Sequence, residues 1–163
     1  MPDRPRIYVM CGLPGSGKTT FAKRFARKMG IDYLGVDDFY VMINGGPNRH
    51  DNPFEVWMAI FRALHVAEQD GRSLVFDTNA GTVCNRTQLL DWFPGFDHYL
   101  IHIRADELLC IRNNFRRSRT IPNEEMAKFI RDFQPPTPDE DERWLGIFIY
   151  ENVENRCYEK RGF

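Results

Sequence analysis

Eight residues near the start of the chain, Gly12-Leu13-Pro14-Gly15-Ser16-Gly17-Lys18-Thr19, have the types and spacing to hold a polyphosphate. Glycines let backbone N–H groups turn inward around phosphate oxygens, and a helix that starts at Lys18 adds its positive end. Lys18 reaches the β- and γ-phosphates, and the Thr19 hydroxyl is placed to ligate Mg²⁺. The pattern therefore predicts an ATP·Mg²⁺ site made by Gly12, Pro14, Gly15, Ser16, Gly17, Lys18, Thr19 and Thr20.

Three further groups suit phosphoryl transfer. A kinase that acts on an alcohol needs a group to take the hydroxyl proton. Asp37 is the candidate base, and its neighbour Asp38 is expected to cap a helix beginning near Phe39. Asp77 ends an apolar strand, where it would hold a Mg²⁺-bound water or orient the acceptor. Arg112-Asn113-Asn114-Phe115-Arg116-Arg117-Ser118-Arg119 is rich in guanidinium groups, which stabilise charge spread over transferring phosphoryl oxygens. Arg112 and Arg116 are four apart and share a helix face. Arg116 is assigned a catalytic role and Arg112 a phosphate-binding one, while Arg117 and Arg119 are expected to point elsewhere.

Other residue types are expected to do no chemistry. Cys11, Cys84, Cys110 and Cys157 are widely spaced with no CxxC pair, which suits reduced thiols in a cytoplasmic protein and no zinc site. His65, His98 and His102 fall in element patterns as packing or surface residues. His50 lies in a loop and is the one histidine to watch. Trp and Phe residues at helical spacing are expected in the core.

Strands and helices must gather these groups. Ile7-Tyr8-Val9-Met10-Cys11 reads as a strand buried on both faces. Lys18–Met29 reads as a helix with Phe21, Ala22, Phe25, Ala26 and Met29 on one face, stopped by Gly30. Strands are expected at Tyr33–Val36, Leu74–Phe76 and Tyr99–Ile103, with an edge strand at Ile147–Tyr150. Asn44–Asp51 has loop chemistry. A helix then starts with Asn52 as cap and Pro53 at its first position, carrying Phe54, Trp57, Phe61 and Leu64 along one face as far as Gly71. Helices are also expected at Asn85–Trp92, Asp106–Phe115 and Pro122–Phe133. Strands alternating with helices imply an α/β fold whose parallel sheet of four to five strands has helices on both faces. Ligands in such sheets bind at the carboxyl ends of the strands, which brings the Gly-rich loop, Asp37 and Asp77-Thr78-Asn79 into one crevice.

The chain has 163 residues, 42% hydrophobic and 28% charged, which suits one domain spanning residues 1–163. No apolar run approaches a membrane span, and the first residues lack the apolar stretch of a secretory signal. Net charge is −1, so the whole molecule does not attract nucleic acid, but the Arg112–Arg119 patch can bind phosphates locally. Asp139–Glu142 forms a separate acidic run.

Gly12–Thr20, Asp37-Asp38-Phe39-Tyr40, Asp77-Thr78-Asn79 and the stretch from Arg112 to Pro122 occur in an order and spacing that resembles the kinase domain of the bacteriophage polynucleotide kinase-phosphatase family and related P-loop kinases. The resemblance spans about Ile7 to Phe133. It implies a P-loop NTPase fold with strand order 2-3-1-4, an arginine-rich lid at about 112–122 and a C-terminal extension at about 134–163. It implies Asp37 as general base, Arg116 on the donor phosphates, Thr78 near the acceptor, and action in the cytoplasm of a host cell. There are two departures. Tyr40 stands near where the family has an arginine that grips the acceptor phosphate, leaving that contact to Arg49 or to stacking on Tyr40. No DxDGT-like segment follows Pro138, so no 3′-phosphatase activity is expected.

The expected activity is transfer of the γ-phosphate of ATP to a hydroxyl of nucleic acid, DNA or RNA, foremost a 5′-OH end. The alternatives are a hydroxymethyl group on a DNA base, a small alcohol or nucleoside, and a nucleotide-binding switch. Pairing Asp37 with Arg116 favours transfer over switching.

Overall fold

In the computed structural model, residues 3–46, 49–154 and 157–161 are described. Pro47 and Asn48 of the expected loop, the first two residues, the tip of the C-terminal extension at 155–156 and its last two residues lie outside them. So does the Cys157 side chain. Six strands form one sheet: β1 (Arg6–Cys11), β2 (Asp32–Gly35), β3 (Leu74–Asp77), β4 (Asp97–Arg104), β5 (Trp144–Glu154) and β6 (Cys157–Arg161). Their order is β2-β3-β1-β4-β5-β6, parallel throughout except for the β5–β6 hairpin. The expected 2-3-1-4 core is present. Ile147–Tyr150 is part of a longer strand that lies inside the sheet, because β6 covers its far side. Glu159, Lys160 and Arg161 make β6 read as surface loop, yet charged residues are what keep an exposed edge strand from pairing further.

The helices are α1 (Lys18–Met29), α2 (Val36–Asn44), α3 (Pro53–Gln69), α4 (Val83–Trp92), α5 (Glu107–Arg116) and α6 (Asn123–Asp132). On one sheet face Ile7, Val9, Cys11, Leu74, Phe76 and Leu100 pack against Val56, Ile60 and Leu64 of α3 and Leu89 and Leu90 of α4. On the other, Tyr8, Met10, Val75, Ile101 and Ile103 pack against Phe21, Ala22 and Ala26 of α1. Alternating side chains along each strand feed the two layers, as the pleat requires.

Some expected faces and boundaries move. Met29 is exposed at the end of α1. The buried stripe of α3 is Val56, Ile60, Leu64 and Ala67; Phe54 is 76% exposed, and Trp57 and Phe61 sit one step round the helix. Asn52 precedes Pro53 as expected but makes no side-chain cap. β2 stops at Gly35, and α2 starts one residue later, at Val36. Asp37 and Asp38 thus occupy the first turn of α2, where the helix dipole favours carboxylates, and neither is the cap.

Within the acidic run Asp139 and Glu142 are exposed, but Glu140 turns inward. Glu140 makes a two-pronged ion pair with Arg86 of α4 at 2.5 and 2.6 Å. Arg86 is fully buried and also donates to the Ala80 carbonyl at 2.9 Å. This pair anchors the segment leading into β5 to the turn after Asp77. Removing either partner alone would strand a buried charge at a cost of about 3–5 kcal/mol. Among the described residues no helix is long and apolar enough to cross a membrane. Cys11, Cys84 and Cys110 are free thiols.

Candidate active site

The carboxyl ends of β1, β2 and β3 are level, since Val9 pairs with Phe76 and Gly35 with Asp77. Residues 12–17 leave β1 there and turn into α1. Gly12, Gly15 and Gly17 have φ of 145°, 81° and 96°, in the region that L side chains rarely adopt. A Cβ on Gly12 would lie 2.5 Å from the Ile103 carbonyl oxygen, so glycine is also required by contact. The Ser16 N–H closes the loop onto the Leu13 carbonyl at 3.1 Å.

Lys18 Nζ donates to the same Leu13 oxygen at 2.9 Å. Burial lowers its pKa, and Asp77 opposes that shift. Thr19 Oγ1 donates to Asp77 Oδ2 at 2.6 Å, and Tyr33 Oη donates to the same oxygen at 3.0 Å. Burial raises the Asp77 pKa against the pull of Lys18, Thr19 and Tyr33.

Two cavities meet over these residues, and both are lined by Lys18, Thr19, Asp37, Arg117 and Arg119. The first, of about 640 Å³, adds Gly15, Gly17, Thr20, Asn113, Arg116, Ser118 and Asn152. The second, of about 590 Å³, is walled by the rings of Tyr40, His50, Trp57, Phe61, Trp92 and Phe129. Asp77, Thr78, Asn79, Asn85 and Gln88 supply its polar groups. The first suits a polyphosphate, with Lys18, Arg116, Arg117 and Arg119 set against Asp37. In the second, Lys18, Arg117 and Arg119 are balanced by Asp37, Asp77 and Glu125.

The arginine segment is more ordered than a charge run suggests. α5 ends at Arg116, and the turn that follows is stapled by buried Asn114, which donates to the Ile121 carbonyl at 2.8 Å and accepts from its N–H at 2.9 Å. Arg117 Nε donates to the Arg119 carbonyl at 2.6 Å. Arg119 forms an ion pair with Asp37, and its Nη2 lies 2.9 Å from His50 Nε2. Arg117 and Arg119 therefore face the crevice and not away from it, because both follow the last helical residue and the helical spacing no longer governs them. Burial beside Arg119 lowers the Arg117 pKa.

Of the remaining residues singled out in the sequence, Pro14 lines the ring-walled cavity and Tyr40 packs at a tilt against His50, with centroids 5.0 Å apart. Ser16 is buried, with its Oγ unpartnered. Arg112 is exposed and lines neither cavity. Arg49 is exposed beside His50, its carbonyl held by Asn44 at 3.1 Å. His98 and His102 are buried, and desolvation lowers both to about 4, so they are neutral packing groups. Trp57 and Phe61 pack against the core as expected and also line the cleft, while Trp92 is 46% exposed at the cleft wall. Asn85, Gln88, Asn113, Asn152 and Tyr158 carry no sequence signal at all; only the fold brings them here.

The orphaned Ser16 hydroxyl, the glycine-built loop and the Lys18 ammonium fit a nucleotide. Thr19 and Asp77, 2.6 Å apart, fit Mg²⁺. Among the described residues no three His, Cys, Asp or Glu side chains gather, so a Mg²⁺ held there would complete its shell with phosphate and water oxygens.

The sheet, the helices and the glycine-built loop define an α/β domain with the P-loop kinase fold. Residues 7–136 match the family model AAA_33, an AAA domain, and the chain belongs to that family. Solved structures share its fold. A putative kinase from Chloroflexus aurantiacus aligns with TM-score 0.70 at 18% identity, covering 93% of this chain and 90% of that one. A sugar kinase from Janibacter sp. HTCC2649 aligns with TM-score 0.66 at 19% identity, covering 90% and 85%. A chain of the Pnkp1/Rnl/Hen1 RNA repair complex aligns with TM-score 0.71 at 15% identity, covering 81% of this chain and 45% of that one.

Proposed function

We propose that the protein transfers the γ-phosphate of ATP to a hydroxyl of a nucleic acid, foremost a free 5′-OH end. The observation that carries this is the ring-walled cleft on the acceptor side of Asp37. Six aromatic rings and three amide side chains line about 590 Å³, which suits a planar base with a hydrogen-bonding edge better than a sugar coated in hydroxyls.

The chemistry follows from the placement. The acceptor hydroxyl approaches Asp37, which takes its proton as the oxygen bonds to the γ-phosphorus. The bond from that phosphorus to the β–γ bridging oxygen breaks, and its electrons leave with ADP. Arg119 must release Asp37 first, since its guanidinium occupies a carboxylate oxygen that would take the proton. Lys18, Arg116 and Arg117 stabilise charge on the transferring group. Mg²⁺ held by Thr19 and Asp77 would neutralise phosphate charge.

A second acceptor, a hydroxymethyl group on a pyrimidine base of DNA, is favoured by Tyr40. A ring there serves a base, where an arginine would grip a terminal phosphate. The test is γ-labelled ATP with a 5′-OH oligonucleotide, a 5′-blocked DNA carrying 5-hydroxymethyl pyrimidines, a nucleoside and a sugar. Label on the first supports the end kinase, label only on the second supports the base kinase, and label only on the last two removes the polynucleotide.

A further inference from the structure

We infer that the β5–β6 hairpin presets the phosphate loop, with Asn152 and Tyr158 as positioning residues that aim the Gly17 and Lys18 N–H groups at the donor phosphates. This rests on the nucleotide-site assignment above. Asn152 Nδ2 donates to the Ser16 carbonyl at 2.8 Å, and Tyr158 Oη donates to the Gly17 carbonyl at 2.8 Å. The described peptide bonds are all trans, so the N–H of each plane points opposite to its C=O. Holding the Ser16 carbonyl toward the hairpin turns the Gly17 N–H the other way. Holding the Gly17 carbonyl does the same for the Lys18 N–H. Both amides then sit at the open N-terminus of α1, where the helix dipole adds to them.

The two braces act as one unit. Asn152 and Tyr158 are cross-strand partners, so their side chains leave the hairpin on the same face. Asn152 is 3% exposed and Tyr158 packs edge-on against Phe21 of α1 at 5.1 Å. A third brace comes from α5, where Asn113 donates to the Gly15 carbonyl at 2.9 Å. The hairpin approaches so closely that a Cβ on Gly17 would lie 2.7 Å from Tyr158 Oη and 2.8 Å from Asn152 Nδ2. The third glycine of the loop is therefore needed for this contact as well as for its φ. Without Tyr158 the Gly17 carbonyl keeps the Phe21 N–H at 3.1 Å but loses its second anchor, and without Asn152 the Ser16 carbonyl loses its tie to the hairpin, so nucleotide binding has to order the loop further at the expense of affinity. Residues 144–161 lie outside the 7–136 stretch of the family match, so the loop depends on a segment that its motif does not include.

The test compares wild type with Tyr158→Phe and Asn152→Leu. Tyr158→Phe removes one oxygen and keeps the ring against Phe21, so it tests the brace without disturbing the packing. Calorimetry with Mg·ADP should show Kd raised about threefold to tenfold in Tyr158→Phe, the range for one lost hydrogen bond, and further in Asn152→Leu. The KM for acceptor should not move, and the melting temperature of nucleotide-free Tyr158→Phe should stay within a few degrees of wild type. Unchanged ADP affinity in Tyr158→Phe overturns the inference, whether or not the melting temperature falls. Failure of wild type itself to bind ADP would instead overturn the nucleotide site, and the brace with it.

Discussion

The two cavities that meet at Lys18 and Asp37 are built by different means. The phosphate side is made of main chain: three glycines with positive φ, a helix end, and guanidinium groups close in sequence to one another. The ring-walled side is made mostly of side chains from α2, α3, α4 and α6 and from the turns after α2, β3 and α5, drawn from residues 36 to 129. A site made of backbone recognises what is common to every nucleotide, the phosphates, and needs a local motif to do so. A site made of scattered side chains recognises what differs between acceptors, and each wall can change without disturbing the loop.

The sharpest way to break this division is at the groups the cavities share. Lys18→Ala should lower transfer on the order of 10³-fold with weakened ATP binding, since it removes a charge from the donor phosphates. Asp37→Asn should lower kcat on the order of 10²- to 10⁴-fold with ATP affinity retained, because an amide cannot accept the proton. Calorimetry for ATP beside steady-state rates separates the two. Near-normal kcat in Asp37→Asn would leave Asp37 as no more than a first-turn carboxylate of α2.

The arginines give the next largest effect. Arg116 lines only the phosphate side, whereas Arg117 lines both. Arg116→Ala and Arg117→Ala should each cost on the order of 10²-fold in kcat. Arg112→Ala should cost little, since Arg112 lines neither cavity. Equal losses at all three positions, measured at one salt concentration, would mean a diffuse basic patch in place of directed contacts.

On the ring-walled side alone, Trp57→Ala and Trp92→Ala should raise the KM for acceptor about tenfold, from roughly 1–3 kcal/mol of lost stacking. Neither should change the KM for ATP. A matched rise in both KM values would merge the two cavities into one functional unit.

Legibility in the sequence follows the same division. Gly12–Thr19 was readable because a phosphate nest needs glycine at fixed offsets, and the core strand order followed from the family that the motifs resemble. β6 was not readable, because five residues with Glu159, Lys160 and Arg161 carry no apolar alternation. Trp57 and Phe61 keep the spacing of a buried stripe, and periodicity cannot tell a core wall from a cleft wall on the next face of the same helix. Asn113, Asn152 and Tyr158 became visible only when tertiary contacts brought them to the loop. Asp37 was found, but its place inside α2 was not, since Gly35-Val36 reads equally well as the end of a strand.

The smallest expected effect concerns salt. A polynucleotide acceptor would place its base in a cleft whose charges balance, so its backbone must find cations outside it. Arg49 is exposed beside His50 at the rim, and Arg119 is freed for a phosphate once it leaves Asp37. One such contact contributes roughly −0.7 to −0.9 to the slope of log K against log salt. With both contacts made, acceptor affinity should then fall roughly tenfold between 50 and 200 mM salt, as twice that slope implies. Arg49→Ala should flatten the dependence while leaving the KM for ATP where it was. A steep fall, of the kind six or more phosphates produce, would mean that the strand runs along the basic phosphate side, against the division drawn here. No fall at all would point to a small uncharged alcohol in the ring-walled cleft.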